Sequence, residues 1–436
     1  MAEAVFGDTP SDHAQPSAST PSLQPSPAAS LQPRADMDII SSLLTVILTT
    51  SPTPSAPSTD LVGSVLSSFE AHCPALVACS IIVVFDTYDR IGPQLRLKKG
   101  TVTAVEAAHY DTYKANVRQL VQEIWGRHAG LPREEAVSLG VDHVEEGSAE
   151  FGSPFLRDNS VKFKTTHLRS SAKLPRISFI EPEARLGFGL GVRTALRAAT
   201  TPYVWVQQHD WSLATDIPIA PMLDVMQASR MGVPDAEADA SLSGQEGTAP
   251  IRYICLPSVR MLRYATSAHA TEFPVLRTIT STFKQSFAAS SGDSLPLTPL
   301  FFWHDKTHIV SREHYLKSIF PSRLALSRGD FIEDHIGQRA RSQMKEDAAA
   351  WKRWATWQYY PDEGNELCLR HLQGRTWRGE EQEQAMRDQY MERNRAEAAA
   401  AAEAEAANRQ EPVHAANEAV STDQDWVIDM PFGSDE

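Results

Sequence analysis

Residues 187–210 read GFGLGVRTALRAATTPYVWVQQHD, and this stretch sets the fold class. Gly187, Gly189 and Gly191 lie where backbone has to come close to a neighbour or a ligand. A helix is expected over residues 190–199. YVWV, at residues 203–206, is a β-branched and aromatic run of the length of a buried strand. It closes on Gln207-Gln208-His209-Asp210. A carboxylate at the tip of a buried strand is costly to hold unless something binds it.

Working outward, LLTVILT (residues 43–49) and IIVVF (residues 81–85) read as two further buried strands, the second closed by Asp86. Between them, a Pro/Ser/Thr turn leads into a helical face of Leu61, Val62, Val65, Leu66 and Phe69, with Thr59 or Asp60 as N-cap. A helix is expected over residues 110–125 and a strand over 176–180. The order is βαβαβ, which predicts an α/β fold with a mostly parallel central sheet flanked by helices. Ligands of such sheets bind beyond the carboxyl ends of the strands, where Asp86 and Asp210 both fall. Residues 141–172 and 227–248 are polar and read as excursions over that face.

The ends differ in kind. Residues 1–37 are rich in Pro, Ser and Ala and read as a disordered arm. The segment 380–436 holds 15 acidic and 4 basic residues of a chain whose net charge is -14. It reads as an acidic tail, helical at first and then disordered, whose DWVIDMPFGSDE end is a candidate docking peptide for a protein partner. Residues 38–379 are near neutral and form the expected catalytic domain. The acidic balance speaks against a nucleic-acid partner. The longest apolar run, residues 75–85, falls short of the ~20 residues that span a bilayer. No signal peptide is visible, so a soluble, cytoplasmic protein is expected. Cys73, Cys79, Cys255 and Cys368 make no CxxC pair. Cys73 and Cys79 stand either as buried thiols or as a bridge.

Together these motifs resemble the GT-A glycosyltransferases, family-2-like members above all. The resemblance is carried by TVILTTSPTPS (residues 45–55), IIVVFD (81–86), the 187–210 stretch and GDFIEDHIGQ (329–338). It implies a GT-A-type, Rossmann-like fold that transfers a sugar from a nucleotide-sugar, UDP-linked by expectation, to an acceptor hydroxyl. It places Thr50, Ser51, Pro52, Asp86, Gly189 and Arg193 at the nucleotide-sugar. Asp210, His209 and the late His371 become the metal set for Mn2+ or Mg2+, although Gln208 stands where a first acid is usual. Inverting transfer needs a carboxylate to take the acceptor proton, and Asp334, then Glu333, are the candidates for that base. Outside the resemblance, His371 and the Glu333-Asp334 pair also read as ordinary loop and helix-start residues. His304, Asp305 and His308 read as loop and strand structure. The aromatic cluster from Phe301 to Tyr360 divides between core and acceptor stacking. Two alternatives stay open: a non-catalytic nucleotide-binding or scaffold protein of the same fold, and a nucleotidyltransferase.

Overall fold

The computed structural model describes residues 32–171, 173–231 and 249–377, and 379–400 with gaps. Most of the N-terminal arm, residues 232–248, Arg378 and the tail from residue 401 lie outside the described residues. The chain divides into two units, Met1–Gly379 and Glu380–Glu436. The described part of the second is helical.

The first unit opens with α1 (Gln32–Leu43), which begins inside the stretch expected to be disordered. Next come β1 (Leu44–Thr50), α2 (Asp60–His72), β2 (Ser80–Phe85), the short β3 (Arg90–Ile91) and β4 (Thr101–Val102), α3 (Ala104–His128) and α4 (Arg133–Val137). The strands β5 (Val141–Glu150), β6 (Ser160–Leu168) and β7 (Ile177–Pro182) follow, then α5 (Phe188–Ala198), β8 (Tyr203–Gln208), β9 (Trp211–Leu213) and α6 (Ile219–Met231). The last third holds β10 (Tyr253–Cys255), β11 (Gln285–Ala288), β12 (Ser294–Pro299), β13 (His308–Ser311), β14 (Thr356–Tyr359) and β15 (Leu369–His371), with short helices between them.

Eleven strands form one sheet in the order β11-β12-β14-β10-β13-β8-β1-β2-β7-β6-β5. The four strands read from the sequence, β7-β2-β1-β8, are parallel and sit together. All seven residues of β1 are buried, as a central strand covered on both faces requires. Strand order reverses between β1 and β8, which creates the crevice where open α/β sheets bind ligands.

The expectation of a mostly parallel sheet is corrected. Of ten pairings, four are parallel and six antiparallel. Helical crossovers such as α2 and α5 deliver parallel neighbours, whereas short returns such as residues 289–293 deliver antiparallel ones. Residues 141–172 are corrected as well. Residues 141–168 are no excursion but the β5–β6 hairpin at the sheet edge, and β5 is exposed along most of its length.

The helix starts follow local chemistry. Thr103 caps α3, its hydroxyl accepting from Glu106 N–H at 3.2 Å. At α2, Thr59 holds the N-cap position, but Ser58 Oγ accepts the Asp60 N–H. The four cysteines are free and buried. Among the late aromatics, Phe301, Trp303, Trp351, Trp354, Trp357, Tyr359 and Tyr360 are buried, so they build core rather than an acceptor platform. No helix among the described residues is long and apolar enough to cross a membrane.

Candidate functional site

At the carboxyl ends of β1, β2 and β8 the structure opens a cleft of about 770 Å³. That is the size of a small-molecule site. Eight of the sequence-derived candidates line it: Thr50, Ser51, Pro52, Asp86, His209, Asp210, Glu333 and His371. Five Lys and Arg residues share the wall with four acids.

Asp210 lies two residues beyond the end of β8 and is anchored from across the cleft. Its Oδ2 accepts from His371 Nε2 at 3.2 Å and from the Gly374 N–H at 3.3 Å. Its Oδ1 is buried without a hydrogen-bond partner. β15 pairs with β9 so that His371 faces Trp211, their rings 4.5 Å apart. His209 Nδ1 lies 3.3 Å from the Thr49 carbonyl oxygen. Burial pushes the Asp210 carboxyl up, but the His371 hydrogen bond and neighbouring His209 outweigh it, holding the group below its usual range. Burial lowers His209, so it offers a neutral imidazole. A Cβ at Gly374 would stand 2.9 Å from both Asp210 Oδ2 and His209 Nε2. The glycine therefore keeps open the space between the two side chains.

Asp86 is a clamp. Its two oxygens accept from the Leu186 and Gly187 N–H groups at 2.7 and 3.0 Å. Burial raises its carboxyl to about 6 despite those bonds and nearby Arg185. The loop it holds is tight, since a Cβ on Gly187 (φ +82°) would lie 2.5 Å from the Gly329 Cα. Thr50 Oγ1 lies 2.7 Å from the Tyr113 hydroxyl, which fixes the loop after β1 to α3.

On the opposite wall, Glu333 and Asp305 bond each other's backbone. The Asp305 N–H donates to Glu333 Oε2 at 3.3 Å, and the Glu333 N–H donates to Asp305 Oδ2 at 3.4 Å. Glu333 Oε2 also lies 3.6 Å from His304 Nδ1. Burial and the Glu333 charge push the Asp305 carboxyl well above its usual range. For Glu333, burial acts upward but His304 outweighs it, leaving the carboxyl below its usual range. The two carboxyls are thus shifted in opposite directions, Glu333 toward the charged form and Asp305 toward the neutral one.

Three assignments are corrected. Asp334 is exposed and does not line the cleft; the helical turn that points Glu333 inward points its neighbour out. Arg193 is 1% exposed and donates to the Glu150 carbonyl at the far end of β5, away from the cleft. Gly189 is buried inside α5, where a Cβ would lie 2.3 Å from Leu326 Cδ1. It serves packing, and Gly187 and Phe188 are the members of that turn that reach the cleft. Sequence reading set Asp305 aside, and it overlooked Lys306, Arg185 and Arg260 on the cleft wall. The signal available was only their place between strands, which does not show where a loop returns.

The cleft holds the groups needed to bind an anion and move a proton. Its five cationic side chains outnumber its four acids, which favours a phosphate-bearing ligand. No protein-family model matches the chain, and comparison with curated proteins finds no match.

Proposed function

We propose that this protein is a GT-A-type glycosyltransferase that moves a sugar from a nucleoside diphosphate sugar, UDP-linked by preference, to an acceptor hydroxyl. The observation that carries the reading is Asp210 Oδ1, a buried carboxylate oxygen with no partner at the lip of the topological switch point. Leaving such an oxygen unpaired costs about 1–3 kcal/mol or more, which a bound cation or donor group removes. Asp210 and His209 would hold a Mn2+ or Mg2+ ion in the space that Gly374 leaves open, with His371 hydrogen-bonded to Asp210 beside it. When bound, such an ion offsets charge on a departing diphosphate.

The residues of the chain supply the rest. The Thr50-Ser51-Pro52 loop and the Asp86-held turn bound the nucleoside end. Lys306 and Arg375 offset the diphosphate charge. Glu333 accepts the acceptor proton as the hydroxyl oxygen bonds to the anomeric carbon. The bond from that carbon to the diphosphate oxygen breaks, and the diphosphate leaves with the electron pair. A single displacement of this kind inverts the anomeric centre.

The test is thermal unfolding of the full chain with UDP, GDP and their sugars, with and without Mn2+. A nucleotide that binds the folded state raises the midpoint by mass action. Mn2+-dependent stabilisation that disappears in Asp210→Asn is expected. No stabilisation by any nucleotide would sink the proposal.

One observation favours a second reading, nucleotide binding without turnover. Gln208, standing where a first acid would serve a metal, has its amide tied to the Asp305 carbonyl at 2.9 Å. A protein that binds the donor yet neither transfers nor hydrolyses its sugar would decide for that reading.

A further inference from the structure

Far from the proposed chemistry, the edge hairpin brings three ligating side chains together. His143 and His167 are directly paired across β5 and β6. Their rings stack at 4.3 Å. Glu145, two residues along β5, projects from the same face. His143, Glu145 and His167 are the set of three His, Cys, Asp or Glu residues whose ligand atoms all lie within 4.8 Å of one another among the described residues. The cleft set around Asp210 does not meet that distance.

We propose that this hairpin carries a transition-metal site of the zinc class, ligated by His143, Glu145 and His167. Three observations support it independently of the function proposed for the cleft. His167 is 5% exposed, and its Nε2 is buried with no hydrogen-bond partner. That atom lies 3.8 Å from Glu145 Oε2. The outer nitrogens are already occupied, with His167 Nδ1 2.8 Å from Ser178 Oγ and His143 Nδ1 2.9 Å from Asp142 Oδ2. Outer partners of this kind fix the ring and tautomer of a metal-ligating histidine. Finally, His143 Nε2 lies 3.2 Å from Glu145 Oε1, so an ion that displaces the ring proton meets both groups.

The geometry suits Zn2+. Tetrahedral ligand atoms at its bond lengths stand about 3.3 Å apart, close to the 3.2 and 3.8 Å found here. Two imidazoles and one carboxylate select zinc, copper or nickel over Mg2+ and Ca2+. The fourth position is left to water. An ion here joins the last two strands of the sheet, at the edge where β5 has no further neighbour.

The experiment uses the full chain, stripped with a chelator and titrated with Zn2+ against a chromophoric competitor. Wild type and Asp210→Asn are compared with His143→Ala and Glu145→Gln, both exposed positions that leave the core intact. A hairpin equivalent of Zn2+ is expected in wild type and is kept in Asp210→Asn. His143→Ala should weaken it by more than the roughly 10- to 100-fold that loss of an outer partner costs. Ser178→Ala should fall within that range. Absence of Zn2+ binding, or Zn2+ binding that survives both hairpin variants and is lost in Asp210→Asn, overturns the site.

Discussion

Gly374 shows how much one missing methyl group controls. The chain bends past the end of β8 so closely that its N–H reaches Asp210 Oδ2 at 3.3 Å. In Gly374→Ala the new Cβ occupies the space between Asp210 and His209. The nearby atoms are side chains, so the fold adapts at about 1–3 kcal/mol. The cleft would lose its proposed cation position, and the expected outcome is a folded protein whose nucleotide stabilisation no longer depends on Mn2+. Calorimetric titration with UDP, with and without the ion, measures this. The two acids at residues 333 and 334 separate in the same way. Glu333→Gln removes the proposed proton acceptor and should lower kcat by about 10²- to 10⁴-fold while donor binding is kept. Asp334→Asn, on the exposed side, should leave both unchanged. Equal losses in the two variants would remove Glu333 from its proposed role.

At the level of elements, the parallel core was legible because its signal is local. LTVILT and IIVVF are uninterrupted runs rich in β-branched residues, and α2 between them carries one buried apolar face. The hairpin was not legible. β5 reads VDHVEEGSAE and is exposed on most of its length, so burial imposes no alternation on it. β10, β13 and β14 are only three or four residues long, too short for periodicity to separate strand from loop. In the site, strand-end residues such as Asp86 and Asp210 could be placed from the sequence. Asp305 and Lys306 could not, because their position depends on how β13 returns antiparallel beside β8. The role of Asp86 also depends on its partners. As the acceptor for two backbone N–H groups, it holds the turn that begins α5. Asp86→Ala leaves both donors unmatched, and a cost of about 1–3 kcal/mol is expected. Hydrogen exchange should quicken at Leu186 and Gly187 before it does in β1. Exchange unchanged in that turn would show that Asp86 is not its anchor.

Across the whole molecule, buried histidines set the response to acid. His308 is fully buried at the start of β13, its ring 4.7 Å from Tyr253. Its Nδ1 lies 2.6 Å from the Lys306 carbonyl oxygen, and its Nε2 has no partner. Burial pushes it from an ordinary 6.5 down to about 3, the Lys306 carbonyl opposing and His304 adding. Burial likewise lowers His304 and His314 to about 4, against the pull of Glu333 on the first and the Trp354 carbonyl on the second. A base depressed in the folded state takes up its proton more readily when unfolded. Its contribution to stability is therefore complete above pH 6.5 and lost as pH falls toward the folded values. At about 1.4 kcal/mol per pKa unit, each such group weakens the fold as pH falls through that window. His308→Phe isolates the effect, because an aromatic ring of similar size keeps the packing against Tyr253, Trp303 and Tyr315 without a proton to gain. Its Tm at pH 8 should match wild type or fall slightly for the lost Lys306 contact, whereas at pH 5 it should lie above wild type. Parallel Tm curves for the two proteins from pH 8 to pH 4 would show that His308 takes no part in acid unfolding.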